Sequence, residues 1–308
     1  MIFFWLYRKL RARRTTRQAQ AASTDDGDRR QVSHRPAAAS PAQARSGPAA
    51  VIGMALHQFR FDLRAFLRNG QSRFFTLALP VLFLVILASL FGGSNHTVAV
   101  PHGRISTSVP YVPGIITLGI IAAAFVNLVV SLTAQRESGV LKRRRATPVP
   151  ASAIIAGRAL TAVVIALGIA AVLLGIGWAA YHAHVPARTA PALAVTVVIG
   201  AAAFCCLGYA LASVIRDQDA AQPVTQAVML PLYFISGVFV SVTALPHWLV
   251  DVAGVFPVRH LAAALLVAYN PHTTGSGFDG PDLLVLGAWG VAGLLVALRS
   301  FRWLPLGR

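Results

Sequence analysis

Arg136-Glu137-Ser138-Gly139-Val140-Leu141-Lys142-Arg143-Arg144-Arg145-Ala146-Thr147-Pro148-Val149-Pro150 separates two apolar runs, each long enough to cross a bilayer. A dense cationic loop between two such runs must sit in water, and its excess of Arg and Lys assigns it to the cytoplasmic side. Its last four residues stop a helix and redirect the chain, because proline lacks an N–H and restricts the residue before it. The loop is short, charged, shaped and cytoplasmic. A membrane protein on which something in the cytoplasm pushes needs such a loop.

Working outward from the loop, apolar stretches of about 20 residues, within the ~17–25 a bilayer core accepts, recur along the chain. They place an all-α membrane protein with six spans, at about residues 74–91, 115–133, 154–180, 190–215, 223–242 and 283–298. Tyr111-Val112-Pro113-Gly114 introduces the second span, and Trp178 and Tyr181 end the third at an interface. Pro231 and Ser236-Gly237 interrupt the fifth, where a kink or close packing is expected. Leu245–Tyr269 is divided by Pro246 and Pro257 into two pieces of about a dozen residues, which read as short re-entrant helices on the outer side. Asp251, Arg259 and His260 within it support that reading, since charge in hydrocarbon is costly.

Ahead of the first span, Leu56, Phe59, Leu63, Phe66 and Leu67 recur at helical spacing, with His57, Arg60, Arg64 and Arg68 on another face. That pattern is an amphipathic helix lying along the inner headgroups, ended by Asn69-Gly70. Residues 1–50 read as a disordered basic tail, too poor in apolar residues to offset the entropy of ordering, and residues 51–308 as the transmembrane domain. Met1–Tyr7 is apolar but too short to span, and charge follows it instead of preceding it, unlike a signal peptide. The tail is either a peripheral membrane-touching segment or the product of an over-long start, with a start near Val51 or Met54 favoured.

Composition agrees with the bilayer. The chain has 308 residues, 56% hydrophobic and 12% charged, against about 25% charged in soluble domains. The formal charge of +17 does not point to nucleic acid, because 14 of the 27 cations precede residue 74 and no basic groove interleaved with aromatics is present. With six spans and both termini cytoplasmic, 24 cations fall inside and three outside (Arg104, Arg188 and Arg259). Counting Leu245–Tyr269 as a seventh span would move the last three cations outward and fit the positive-inside rule less well. The dominance of Arg over Lys, with the many Ala, indicates a GC-rich bacterial genome, hence a bacterial cytoplasmic membrane.

Several chemistries are absent from the pattern. No GxxxxGK[ST] phosphate loop occurs, so ATP is not hydrolysed by that route, and no HExxH or GxSxG motif appears. No catalytic residue and no metal site is assigned. The adjacent Cys205 and Cys206 make neither a relaxed disulfide nor a zinc set and read as small apolar helix residues. The spans carry almost no carboxylates, whereas ion-coupled carriers keep ionisable groups near mid-membrane. Energy for uphill transport would come from another subunit. Asn95-His96-Thr97 matches a glycosylation acceptor by chance.

Four motifs in order then resemble one family. Gln135-Arg136-Glu137-Ser138-Gly139-Val140-Leu141 through Thr147-Pro148 is similar to the Glu-Arg-Glu-x-Gly-Thr-Leu-x-x-Leu-x-x-Thr-Pro run of ABC-2 type permeases of ABC transporters. Gln135 replaces the first Glu, Val140 the Thr and Arg144 the Leu. Leu230-Pro231-Leu232-Tyr233-Phe234-Ile235-Ser236-Gly237 matches the family's Leu-Pro-x-x-Phe-x-Ser-Gly. Leu245-Pro246-His247-Trp248-Leu249 with Phe256-Pro257-Val258-Arg259-His260, and Phe301-Arg302-Trp303, follow in the expected places. The resemblance covers about residues 54–308 and is greatest to the drug-resistance branch, such as the daunorubicin-type exporters.

The resemblance implies a permease subunit that pairs with an identical or paralogous permease. A separate ATP-binding subunit, carrying ATP and Mg, would sit under each, while this chain binds no cofactor itself. It implies ATPase-coupling roles for Arg136, Glu137, Gly139, Lys142, Arg143, Arg144, Arg145, Thr147 and Pro148. Phe59, Arg60, Arg64 and Arg68 would belong to an interface helix in contact with membrane lipids. Lys142–Arg145 could instead serve only as topology signal and headgroup contact. Glu137, the sole glutamate, reads as one half of a structural ion pair or as a helix cap, with the ion pair favoured. Arg158 is expected to snorkel to the inner interface. Asp217 and Asp219 touch the ATPase or are simply solvated. Asn127, Gln226, Pro231, Ser236 and Gly237 are candidates for a path or gate; helix–helix hydrogen bonding is the commoner use of Asn127, Gln226 and the neighbouring Thr225. The expected function is export of a hydrophobic or amphipathic drug-like compound. Export of a lipid or lipid-linked glycan, and a non-transporting membrane anchor or sensor, are the rival readings.

Overall fold

An apolar run in hydrocarbon must satisfy its backbone within itself, which makes it a helix. The computed structural model describes residues 48–91, 97–100, 103–106, 111–139, 151–181, 185–215, 217–239 and 245–300, and these are helical apart from one short hairpin and the turns. Helix α1 (Pro48–Arg68) opens on a proline, whose missing N–H costs nothing in a first turn. It leads through the single turn α2 (Gly70–Arg73) and a π-helical turn, Phe74–Ala78, into α3 (Leu79–Phe91). Strands β1 (Thr97–Val100) and β2 (Gly103–Ser106) pair antiparallel in the connection that follows, an addition to the all-helical expectation.

The expected second span begins earlier than the sequence indicated. Tyr111–Glu137 is continuous, built from α4 (Tyr111–Ile121), a π segment at Ala122–Val126 and α5 (Asn127–Glu137). Pro113 lies in the first turn, where no intrahelical bond is lost, so Tyr111-Val112-Pro113-Gly114 is part of the helix and not its approach. Then come α6 (Ala151–Tyr181), α7 (Ala190–Val214), α8 (Gln218–Ile235), α9 (His247–Ala253), α10 (Pro257–Tyr269) and α11 (Gly280–Ser300). Among the described residues, four helices are long and apolar enough to cross a membrane: Tyr111–Glu137, Ala153–Ala180, Ala190–Val214 and Gly280–Arg299. Phe74–Leu90 is a shorter apolar helix. The pair α9 and α10 is bent by 99° at a short break, as the two prolines foreshadow: Pro246 precedes α9 and Pro257 opens α10.

The fifth expected span needs correction. Helix α8 starts at Gln218, where Asp217 accepts a hydrogen bond from the Asp219 amide, and ends at Ile235. Gly237 has φ +86°, so Ser236-Gly237 terminates the helix instead of kinking it. Pro223 and Pro231 both lie inside α8, and residues 240–242 of the expected span lie outside the described residues.

The core forms around α4, where every residue from Val112 to Ile121 is buried. Helices α3, α6, α7 and α10 pack on it. Over its most apolar stretch Tyr111–Glu137 is 72% buried, against 17% for Gly280–Arg299, so the former is the central helix and α11 stands at the rim. Small residues bring the helices close, as expected where hydrocarbon gives no hydrophobic drive for association. A Cβ on Gly293 of α11 would stand 2.9 Å from the Leu207 amide nitrogen of α7. One on Gly157 of α6 would stand 2.8 Å from the Ala55 carbonyl of α1. These contacts give the bundle two ends: a cationic end, where α5 and α7 finish and α6 and α8 begin, and a hairpin end, where α4, α7 and α11 begin.

Candidate functional site

At the cationic end, two successive residues of opposite charge grip two helix termini. Arg136 is buried at the end of α5, with 2% of its surface exposed. Its Nη1 donates to the Ala212 carbonyl at 2.9 Å and its Nη2 to the Ile215 carbonyl. The last carbonyls of a helix have no partner within it and carry the negative end of the helix dipole, so a guanidinium completes them. Glu137 points the other way: its Oε1 accepts from the Gln218 amide at 2.9 Å, at the positive start of α8. The ion pair favoured for Glu137 thus gives way, among the described residues, to a cap on a helix 81 positions away. Gly139, with φ +72°, ends α5 immediately beyond. The dipeptide therefore brackets the short link between α7 and α8. Lys142, Arg143, Arg144, Arg145, Thr147 and Pro148 lie outside the described residues.

A second cluster joins α1 to the spans. Arg158 on α6 places its Nε 3.1 Å from Asp62 Oδ2, and its Nη1 donates to Ser131 Oγ of α5 at 3.1 Å. The two charged side chains are only 12% and 8% exposed. Arg158 extends from α6 to a carboxylate on α1. The Nε and Oδ2 make an ion contact and not an aligned hydrogen bond. Removing one partner of a buried pair strands the other, at a cost of about 3–5 kcal/mol.

Asp62 was not singled out from sequence, although a signal exists. Gln58, Asp62 and Phe66 share one stripe of α1 with Ala55, and that stripe, not the leucine stripe, packs on α6. Leu56 and Leu67 are exposed instead. Arg60, Arg64 and Arg68 form an exposed stripe as expected from their spacing, and Phe59 is half-buried.

Between α1, α5 and α6 lies a cavity of about 170 Å³ whose polar wall is Asp62, Asn69, Asn127, Ser131, Gln135, Arg158 and Thr161. Of the candidate path residues, only Asn127 reaches it. Gln226 and Pro231 are exposed on α8, and Ser236 and Gly237 sit at that helix's far end. The five residues do not form one site.

The hairpin end holds a cluster that the sequence did not announce. His260 on α10 lies with Nδ1 2.7 Å from Asp282 Oδ1, and its Nε2 donates to the Gly254 carbonyl at 2.8 Å. Trp289 Nε1 donates to the Val255 carbonyl at 3.0 Å, fixing the bend between α9 and α10 to α11. Burial, aided by the neighbouring Asp282, pushes the Asp279 carboxyl above its ordinary range. Cys205 and Cys206 are free thiols on α7. Among the described residues, no group of three His, Cys, Asp or Glu could hold a metal ion.

No curated protein matches the chain. The family model described as ABC-2 type transporter matches residues 58–270, more than half of the chain, and takes in the second half of α1, the central helix, the Arg136–Glu137 clamp and the bent pair. With helices fit to cross a membrane and this match over more than half of its length, the chain belongs to the ABC-2 type transporter family, the multi-pass membrane subunits of ABC transporters.

Proposed function

We infer that this chain is the permease subunit of an ATP-driven exporter in a bacterial cytoplasmic membrane. It crosses the membrane six times with both termini in the cytoplasm, and a tail, residues 1–50, precedes the transmembrane domain. It works as a pair, with an identical or paralogous permease. An ATP-binding subunit holding ATP and Mg sits beneath each copy. The exported compound is hydrophobic or amphipathic and drug-like, in keeping with the daunorubicin-type branch, because the spans offer apolar walls and few fixed charges.

The observation that carries this reading is the Arg136–Glu137 clamp. The basic loop that follows would be the surface on which the ATPase pushes, and it leaves the bundle directly from this clamp. A push on the loop is thereby delivered at once to the end of α7 and the start of α8. The amphipathic helix α1 adds a second lever, tied to α6 and α5 through Asp62, Arg158 and Ser131. ATP-driven closure of the two ATPases would move both levers and change which side of the membrane the path faces.

Arg143→Glu combined with Arg144→Glu tests the docking surface. The double variant should insert normally and lose most transport-coupled ATPase activity in reconstituted membranes. Unchanged coupling would refute docking at this loop. Purification from the native membrane, with mass spectrometry of what stays bound, tests the assembly. A stoichiometric partner carrying GxxxxGK[ST] is expected, and a chain that purifies alone would hand the lead to the anchor reading.

A further inference from the structure

The cavity between α1, α5 and α6 has a chemistry that coupling does not require. Its volume of about 170 Å³ is ample for several water molecules or a small polar group. Its wall carries one full negative and one full positive side chain, Asp62 and Arg158, both close to nine-tenths buried or more. Their contact is imperfect, since neither Asp62 Oδ2 nor Arg158 Nε makes an aligned hydrogen bond. Gln135 also lines the cavity and holds a buried Oε1 with no partner. Asn127, Ser131 and Thr161 add amide and hydroxyl groups, while Ala123 and Ile165 form an apolar wall. Buried polar atoms of this kind are normally satisfied, by water or by a ligand.

The charges narrow the choice of ligand. An anion alone gains little here, because Asp62 stands 3.1 Å from Arg158 and cancels its field. A cation alone meets the converse difficulty. A zwitterion laid antiparallel to the Asp62–Arg158 pair satisfies both, with its anion at the guanidinium and its cation at the carboxylate. The unfilled acceptors, Asp62 Oδ2 and Gln135 Oε1, call for N–H donors, which a primary ammonium has and a quaternary ammonium lacks. On another face from the cavity-lining Asp62, α1 exposes Ile52, Leu56 and Leu67 next to the Arg60, Arg64 and Arg68 stripe, the composition of a helix lying at a lipid surface.

We propose that this cavity binds the headgroup of a lipid bearing a primary ammonium and a phosphate, phosphatidylethanolamine by chemistry, drawn from the leaflet in which α1 lies. The ammonium sits at Asp62 and Gln135, the phosphate at Arg158, and the acyl chains lie along the exposed leucines of α1. The lipid is a resident of the site, separate from any exported compound. The proposal needs α1 at the membrane surface but not the docking role of the basic loop, so the two fail separately.

The test is native mass spectrometry of the full chain released from nanodiscs of phosphatidylethanolamine, phosphatidylcholine and phosphatidylglycerol in equal parts. Retention of phosphatidylethanolamine should exceed that of each other lipid by about tenfold, the scale of one charge-assisted bond. Asp62→Asn should abolish the preference. Asn127→Leu, which fills the cavity without touching either charge, should lower retention of that lipid as well. Circular dichroism and a thermal melt verify that each variant is folded; if Asp62→Asn is not, Asn127→Leu decides alone. Equal retention of the three lipids, preference for phosphatidylglycerol, no retained lipid, or a preference that survives in the folded variants would each overturn the proposal. Displacement of the bound lipid by millimolar free phosphoethanolamine would overturn the lipid as the source of the headgroup.

Discussion

The two ends of the bundle are held by different kinds of tie. At the cationic end the ties run between helices: Arg136 joins α5 to α7, Glu137 joins α5 to α8, and Arg158 joins α6 to α1 and α5. At the hairpin end most ties run from a helix, or the turn before it, to the carbonyls of a bend or loop. Arg188 donates to the Pro271 and Thr273 carbonyls, His260 to Gly254, and Trp289 to Val255. Ties of the first kind make one helix follow another. Ties of the second kind hold the form of a cap. A force applied at the cationic end is therefore shared among five helices, whereas the hairpin end keeps its local shape.

The sharpest way to break this contrast is to cut the buried ion pair. Asp62→Ala should destabilise the chain by about 3–5 kcal/mol, because Arg158 is left charged and unpaired in a buried place. Replacing both partners with apolar residues should recover much of that loss, since neither charge is then stranded. Thermal unfolding of the single and double variants in detergent measures this. A double variant as unstable as the sum of the singles would mean that the pair is not the tie. Asp62→Ala should also lower transport-coupled ATPase activity more than His260→Ala does. Equal losses would erase the distinction between the two ends.

Arg136→Gln comes next. It removes two charge-assisted bonds to the end of α7, each typically about 1.5–3 kcal/mol, and the glutamine amide, which ends where the arginine Nε stood, is too short to replace them. A net loss of about 3 kcal/mol, the low end for two such bonds, is expected. Hydrogen exchange should rise at the last turn of α7 and at the α7–α8 link, with α10 and α11 unaffected. Exchange that rises evenly over all helices would show a general weakening and not a local clamp.

The sequence made some of this plain and hid the rest, for physical reasons. Helix positions were legible because a bilayer demands long apolar runs, and Pro246 and Pro257 mark helix starts by chemistry that acts within a few residues. Boundaries set by long-range contacts were not. Ser236-Gly237 reads as a kink or close packing within a longer span until Gly237 is seen at φ +86°. The stripe of α1 that packs on α6 was not legible because leucine spacing marks only the apolar face, while Gly157 on α6 admits the Ala55 and Gln58 side of the helix to close contact. Arg136 and Glu137 lay within the stretch singled out for coupling, yet their partners are 76 to 81 positions distant, and no local pattern encodes which helix ends they reach.

The smallest expected effect belongs to the hairpin end and depends on pH. The Asp279 carboxyl is pushed above its ordinary range by burial, with Asp282 adding to the push. Below the ordinary carboxylate range the residue is protonated in folded and unfolded chains alike, and its contribution is fully present. As pH rises, the unfolded chain ionises first, so stability falls until the pH passes the raised folded value. At neutral pH the native state therefore bears a penalty that Asp279→Asn removes. Asparagine caps a helix about as well as aspartate, so the contact with the Asp282 amide at the start of α11 is kept. The variant should melt slightly higher than the parent at neutral pH, and the two should converge in acid. A variant that melts lower than the parent at neutral pH and converges with it in acid would mean that Asp279 serves α11 as a charge at the positive end of its dipole, and the hairpin end would then share the electrostatic logic of the cationic end.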